Sequence, residues 1–443
     1  MHDLQLSGLD GAAPSSSAAS AREDASTVKT WRVVQYFARN GLVMWAALAT
    51  IAAEISVALQ RGMQWRGDLV WTVDWVPVAF IIVGPVVAGL AAIDTALTVQ
   101  GGSHLFKRPV TRTPAFAVTL AYAAVIGTAH LVVVAGVLVV SAPPVGDPGV
   151  VLAIMVQLAM LTLFAAIGTT LGRFVGVVMA GALGALSVFA LLFFASAPGD
   201  GLALLEFGGA TLPRIGYAYS PTYLGAQLLL LLITTAALLL PRPVDPMHKP
   251  RPSRSEVAVA GAALVAVAAG SVLVPGERLV PVETSPSLCG AVQTVPTCFY
   301  PQHERVMTGF QEQFWVLVSV ARENGYGDLV PRRLVEASRT ELPQEARDGT
   351  AAVYVMPEHL QGQEPSLWEI ASGIVQPVHC AQVKGDLPPS ERYWEDLQAL
   401  VVTWVSLADP GVVEDVAFEG DILSPEQASV MAQEFAQCTY AHF

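Results

Sequence analysis

Apolar residues fall in blocks of about twenty over the first 275 positions, separated by short polar segments. The blocks are 41–59, 76–99, 114–141, 149–172, 174–196, 223–240 and 257–274. Each is close to the roughly 20 residues that a helix needs to cross a bilayer, so seven transmembrane helices are predicted. Blocks four and five are separated only by Arg173. One continuous helix there would measure about 72 Å at 1.5 Å per residue, more than twice a hydrocarbon core, so a tight reversal at Gly172–Arg173 is predicted instead. Ahead of the first block, residues 28–40 (VKTWRVVQYFARN) alternate aromatic and basic positions as an amphipathic helix at a membrane surface does. Residues 1–27, rich in Ser and Ala, read as a disordered cytoplasmic tail.

Beyond residue 275 the pattern changes. Val306, Phe310, Phe314, Leu317 and Ala321 recur at helical spacing over 305–324 and stop at Gly325. Trp394, Leu397, Val401, Trp404 and Leu407 mark a second amphipathic helix over 391–408. Ser366-Leu-Trp-Glu369 and Ser424-Pro-Glu-Gln427 are capping boxes that open two more. Residues 351–356 (AAVYVM) form the best strand, and 275–300, with four prolines, reads as an extended linker. The expected fold is therefore an α-helical polytopic membrane protein followed by a mainly helical α+β domain over 275–443.

Composition sharpens this division. Hydrophobic residues make up 53% of the chain, charged residues 14%, and the mean hydropathy is +0.51. A soluble globular chain carries about 25% charged residues, which excludes a purely cytosolic enzyme. Residues 1–275 hold 15 Lys/Arg against 13 Asp/Glu, and residues 276–443 hold 9 against 24, a net charge of −15. So acidic a domain repels phosphates, so no nucleic-acid partner is expected. Basic residues also set the orientation. With the N-terminus inside, the inner segments carry Lys29, Arg32, Arg39, Lys107, Arg108, Arg112, Arg173 and the basic loop 241–256, while the outer loops carry only Arg61, Arg66 and Arg214. Seven spans then place the C-terminal domain outside a cell membrane.

All four cysteines (Cys289, Cys298, Cys380, Cys438) lie in that domain. Their gaps lack the paired short spacings of a zinc site, and an extracytoplasmic location favours disulfides. Three connectivities are open, and Cys289–Cys298 with Cys380–Cys438 is the expected one.

Candidate chemistry is sparse. None of the four lysines follows a glycine, so there is no Walker A loop. His303-Glu304 does not continue into HExxH, and no G-x-S-x-G occurs. The chain is not expected to be an enzyme by itself or to hold a cofactor or metal. Inside the spans the ionisable residues are Glu54, Asp94 and His130, isolated from one another in the sequence. Such residues mark function by default; the plainer readings are snorkelling or a hydrogen bond for the two acids, and a neutral cross-helix bond for His130. His303, His359 and His379, beside Glu304, Glu358 and Cys380, are weak candidates for a zinc site or for acid/base chemistry. The stretch 179–186 (MAGALGAL) carries small residues at spacings that allow close helix contact.

The arrangement over residues 28–240 resembles an ABC-2-type transporter permease. An amphipathic helix precedes six spans, and the segment after the second reads Gly101-Gly102-Ser-His-Leu-Phe-Lys107-Arg108-Pro-Val-Thr-Arg112. A tight inner turn joins spans four and five, and a semi-apolar loop, 197–222, precedes span six. The resemblance implies that Gly101, Gly102, Lys107, Arg108 and Arg112 meet a separate ATP-binding-cassette ATPase, which would bind ATP and magnesium. The plain alternative is that the basic residues set topology and bind headgroups. A homodimer, or a heterodimer with a second permease, is expected, because a single six-span bundle offers one wall of a translocation path. The expected function is the membrane subunit of an ATP-driven transporter, working in the export direction by that resemblance, with the outer domain recognising or gating cargo. The alternative is a membrane-anchored receptor or immunity factor whose outer domain binds a peptide or envelope ligand. The seventh span, 257–274, and the outer domain are additions to the family pattern.

Overall fold

The computed structural model describes residues 30–102, 113–195, 208, 213–239, 277–282, 284–337, 349–375, 390–411, 420–437 and 439–441. Helix α1 (Thr30–Asn40) buries Phe37 and leaves Tyr36 and Arg39 exposed. It is followed by α2 (Val43–Leu59), α3 (Leu69–Trp75), α4 (Phe80–Gly102), α5 (Thr113–Ser141), α6 (Gly149–Gly172) and α7 (Val177–Ala195). Strand β1 (Tyr217–Tyr219) and helix α8 (Pro221–Leu239) complete this part. Among the described residues, six helical segments are long and apolar enough to cross a membrane. They match the first six predicted spans, with one correction. The second begins at Leu69, seven residues early, because Asp68 caps α3 by accepting from Trp71 N, and a 3-10 turn at Val76–Ala79 carries the chain into α4. The seventh predicted span, 257–274, lies outside the described residues, as do the tail 1–27 and the loop 241–256.

Close helix contact comes from glycine. Gly168 and Gly172 of α6 lie against the backbone carbonyls of Ala88 and Ala92 on α4, where an added Cβ would come within 2.1 and 2.3 Å. Gly181 and Gly184 of α7 meet the same helix from another side, so the small residues of 179–186 serve packing within the bundle. Without a hydrophobic force between helices in lipid, such close approach is a main source of association. The outward faces stay apolar; Val178 is 90% exposed. The reversal between α6 and α7 occupies Arg173–Gly176, where the sequence places it.

The C-terminal part begins with β2 (Leu279–Pro281), antiparallel to β1. A four-stranded sheet follows, in the order β3 (Leu288–Val292), β4 (Val295–Phe299), β5 (Arg333–Glu336), β6 (Thr350–Val353). The first pair is an antiparallel hairpin and the other two pairs are parallel. The expectation of a linker over 275–300 is therefore corrected. Pro281 ends β2 and Pro296 lies within β4, and Cys289 and Cys298 face each other across the hairpin and are disulfide-bonded. Cys380 and Cys438 lie outside the described residues.

Helix α9 (Glu304–Glu323) crosses from β4 towards β5 and buries Phe310, Phe314, Leu317, Val318 and Ala321. Helices α10 (Leu367–Val375), α11 (Glu391–Ser406) and α12 (Pro425–Ala436) pack around it. Both predicted capping boxes form: Ser366 N donates to Glu369 Oε2 at 2.8 Å, and Ser424 N to Gln427 Oε1 at 2.9 Å.

Gly168→Ala is expected to cost about 1–3 kcal/mol, because a backbone carbonyl must shift to admit the methyl group. Gly225→Ala on α8, where nothing lies within 4 Å of the added carbon, is expected to be neutral or stabilising. Thermal unfolding in detergent micelles checks the pair.

Candidate functional site

Polar side chains cross the bundle at three heights. At the end next to α1, Asp94 on α4 accepts from the backbone N–H of Leu42 at 2.9 Å and from the Tyr122 hydroxyl on α5 at 2.8 Å. Asp94 is buried, so it joins α2, α4 and α5 and does not snorkel. Gly41 leaves room for it; a Cβ there would stand 2.8 Å from Asp94 Oδ2.

At the middle height, Glu54 on α2, His130 on α5 and Gln157 on α6 are all 0% exposed. His130 Nδ1 lies 2.8 Å from Glu54 Oε1, and His130 Nε2 lies 3.0 Å from Gln157 Oε1. Gln157 Nε2 donates to the Val73 carbonyl of α3 at 3.1 Å. Glu54 and His130, isolated from each other in the sequence, are cross-helix partners 76 positions apart, as the plainer reading of each expected. Gln157 was missed because an amide in an apolar block carries no charge to flag it.

At the far end the C-terminal part docks. Arg278, just before β2, donates to Asp74 Oδ2 at 2.7 Å, and both are almost fully buried. The Tyr219 hydroxyl on β1 donates to Asp74 Oδ1 at 2.7 Å. Burial, reinforced by the Asp74 charge, holds that phenol well above its usual range despite the nearby Arg278. The Arg305 guanidinium on α9 donates to the carbonyls of Arg66, Gln64 and Leu360 at 2.9, 3.0 and 3.0 Å. Burial, with the Arg66 charge beside it, brings Arg305 down to about 10. Gln361 Nε2 donates to Gln64 Oε1 at 3.1 Å. The domain is thus seated on the connection between the first two spans. Asp74 and Arg278 were missed because one sits ahead of its predicted span and the other in the supposed linker.

The histidines do not share a centre. His303 Nδ1 lies 2.5 Å from Glu336 Oε1, not beside Glu304, which opens α9 on the exposed side. His359 Nδ1 accepts from Met356 N at 3.1 Å, so its Nε2 carries the hydrogen that faces Glu369 Oε2 at 3.4 Å. Although burial pushes Glu369 up, Ser366 and His359 hold it below the usual carboxylate range. His379 lies outside the described residues, and among those described no three His, Cys, Asp or Glu side chains group to hold a metal. Gly101 and Gly102 end α4 at the α1 side; Lys107, Arg108 and Arg112 lie outside the described residues.

Comparison with protein-family models, curated proteins and solved structures gives no match. Function is therefore inferred from this geometry.

Removing one partner of the buried pair, as in Arg278→Ala, is expected to cost about 3–5 kcal/mol, whereas Asp74→Leu with Arg278→Met together returns most of it. Thermal unfolding and limited proteolysis near residue 282 read both.

Asp68, which accepts from Trp71 N at 3.0 Å and Arg214 N at 2.7 Å, is raised by burial despite those bonds. A raised carboxyl binds its proton more tightly in the native state, so stability falls as pH rises from the ordinary carboxylate range through the native one. Asp68→Asn loses that slope and, keeping one acceptor for two donors, is less stable at low pH, with the deficit shrinking as pH rises. Unfolding midpoints across a pH series check both statements.

Proposed function

We propose that this chain is the membrane-spanning subunit of a transporter driven by a separate ATPase, acting beside a second permease subunit. The observation that supports this reading is the joint at Asp94. One carboxylate ties the start of α2, directly behind the amphipathic helix, to α4 and α5. It lies two turns before Gly101–Gly102 and the basic stretch that follows. A force delivered to that end is passed to three spans through a single buried group. At the opposite end the C-terminal domain sits on the connection between spans, placed to meet cargo where the bundle opens. In this reading the α1 end faces the cytoplasm, and the acidic domain faces outward, attracting cationic cargo.

A receptor role without transport has its own support in Trp315 on α9 and Trp394 on α11. Both are about half exposed, at 54% and 47%, on a domain held rigidly at its root. Isolation of the tagged chain from its native membranes separates the two. The transporter reading expects an ATP-binding-cassette protein to accompany it, and expects Lys107→Ala/Arg108→Ala/Arg112→Ala to reduce that recovery several-fold with the chain still in the membrane. If no ATPase comes down with the unaltered chain, the transporter reading fails.

A further inference from the structure

The middle polar cluster has a proton count fixed by its hydrogen bonds. Gln157 Nε2 donates to the Val73 carbonyl, which turns Gln157 Oε1 toward His130 Nε2. An amide oxygen only accepts, so His130 Nε2 carries a hydrogen. On the other side, His130 Nδ1 and Glu54 Oε1 are 2.8 Å apart. Two bare lone pairs at that distance would repel, so one proton lies between them and the pair is neutral overall. The second carboxyl oxygen, Glu54 Oε2, is buried and has no hydrogen-bond partner among the described residues. An unpartnered acceptor on a fully buried carboxyl group is costly, and it marks where a ligand would bind.

The donor set identifies that ligand. A metal cation of the calcium or magnesium kind asks for about six oxygen ligands, and here a single oxygen is open. We propose that Glu54 and His130 form a proton-binding site in the bundle, holding one proton in the structure described and taking up a second at Glu54 Oε2. The second proton leaves a hydronium ion of the bulk solvent as its O–H bond breaks. A new O–H bond forms at Oε2, no electron is transferred, and the net charge of the site goes from zero to plus one. The ion pair becomes a cation beside a neutral acid. The tie between α2 and α5 weakens, and α2 is freer to part from α5.

Supply comes from the side of the C-terminal domain. Glu54 lies five residues before the end of α2 at Leu59, about 8 Å along the axis at 1.5 Å per residue. The chain also leads from the site to that domain, since Val73, which anchors Gln157, directly precedes Asp74, which anchors Arg278. The other titratable groups on the surrounding elements are accounted for. Asp74 on α3 is engaged by Arg278 and Tyr219, and Asp94 on α4 by Leu42 and Tyr122 of α5. Described stretches of α2 and α6 add none besides Glu54, and α8 adds Tyr223, which is buried. The neighbour of His130 on the chain entering α4 is the Phe80 ring, 5.5 Å away, which is apolar. Such a proton site goes beyond the transporter reading and does not depend on an ATPase.

The test uses the full chain in lipid nanodiscs. Infrared difference spectra between neutral and acid buffer are expected to show a protonated-carboxyl band that Glu54→Gln abolishes. The amide introduced by that substitution can still donate to His130 Nδ1, so the variant keeps the cross-helix bond. His130→Gln, with Glu54 intact, is expected to move the midpoint of the band by at least about one pH unit, a tenfold change in proton affinity. Amide exchange over residues 50–58, corrected for its intrinsic rate, is expected to rise several-fold on acidification in the unaltered chain and to stay level in Glu54→Gln. A band that Glu54→Gln leaves intact, or no carboxyl band at all between about pH 4 and pH 10, overturns the site. An unmoved midpoint in His130→Gln overturns the pairing, and unchanged exchange across the transition overturns the loosening of α2.

Discussion

The buried contact between Asp74 and Arg278 is the constraint from which the placement of everything else follows. The two residues are 204 positions apart and are joined at 2.7 Å with almost no exposure. A buried ion pair contributes little net stability over an apolar pair of the same size, but leaving either charge alone is costly. Its effect is therefore on register. With Arg278 on Asp74, the backbone beside it can pair in only one way, and β2 runs antiparallel to β1 with Val280 opposite Ala218. The Tyr219 hydroxyl completes the carboxylate. From that fixed root α9 brings the Arg305 fork onto the carbonyls of Gln64 and Arg66.

Within the bundle the same logic operates at lower charge. Apolar helices in an apolar solvent have no reason to choose one neighbour over another, so specificity comes from glycines that admit a backbone and from polar groups that have only one partner. The structure uses both on the same helix. Helix α4 takes Gly168, Gly172 and Gly184 against its carbonyls and carries Asp94 to α5. Thr119 on α5 and Thr169 on α6 meet at 2.9 Å, and Thr72 on α3 meets Ser141 on α5 at 2.7 Å. Each is a short-range tie between helices that the hydrocarbon alone would leave free to rotate.

What could be read in advance follows from this division. Span limits were legible because apolar length is a local property, and so were the capping boxes at Ser366 and Ser424, the turn at Arg173 and the Cys289–Cys298 pair. Each depends on residues within about ten positions of one another. The hairpin over 288–299 was hidden because Pro296 and the prolines ahead of the hairpin resemble a linker until the parallel pairing with β5 is seen. Of the candidate site, the residue types Glu54, Asp94 and His130 were legible, but not their partners. Glu54 finds His130 across 76 positions and Asp94 finds Tyr122 across 28. Nothing in one sequence says which helix faces which. Asp74 was assigned to a loop because a charge next to an apolar block ordinarily marks its end; here Arg278 neutralises it inside the fold.

The use of cations in the C-terminal domain has a further electrostatic consequence. Residues 276–443 carry 9 basic side chains against 24 acidic ones, and the described arginines are largely engaged within the fold. Arg278 is held by Asp74, Arg305 by three carbonyls, Arg322 by Gln293 and Thr294, and Arg392 by Asp396. Two of these, Arg278 and Arg305, face the bundle, so described cations gather at the junction of a domain whose net charge is negative. A negative surface concentrates cations, hydronium included, within a screening length of about 8 Å at physiological salt. Arg278 and Arg305 stand at the junction itself, so this enrichment acts on the acidic surface of the domain and is opposed at the end of the bundle nearest Glu54.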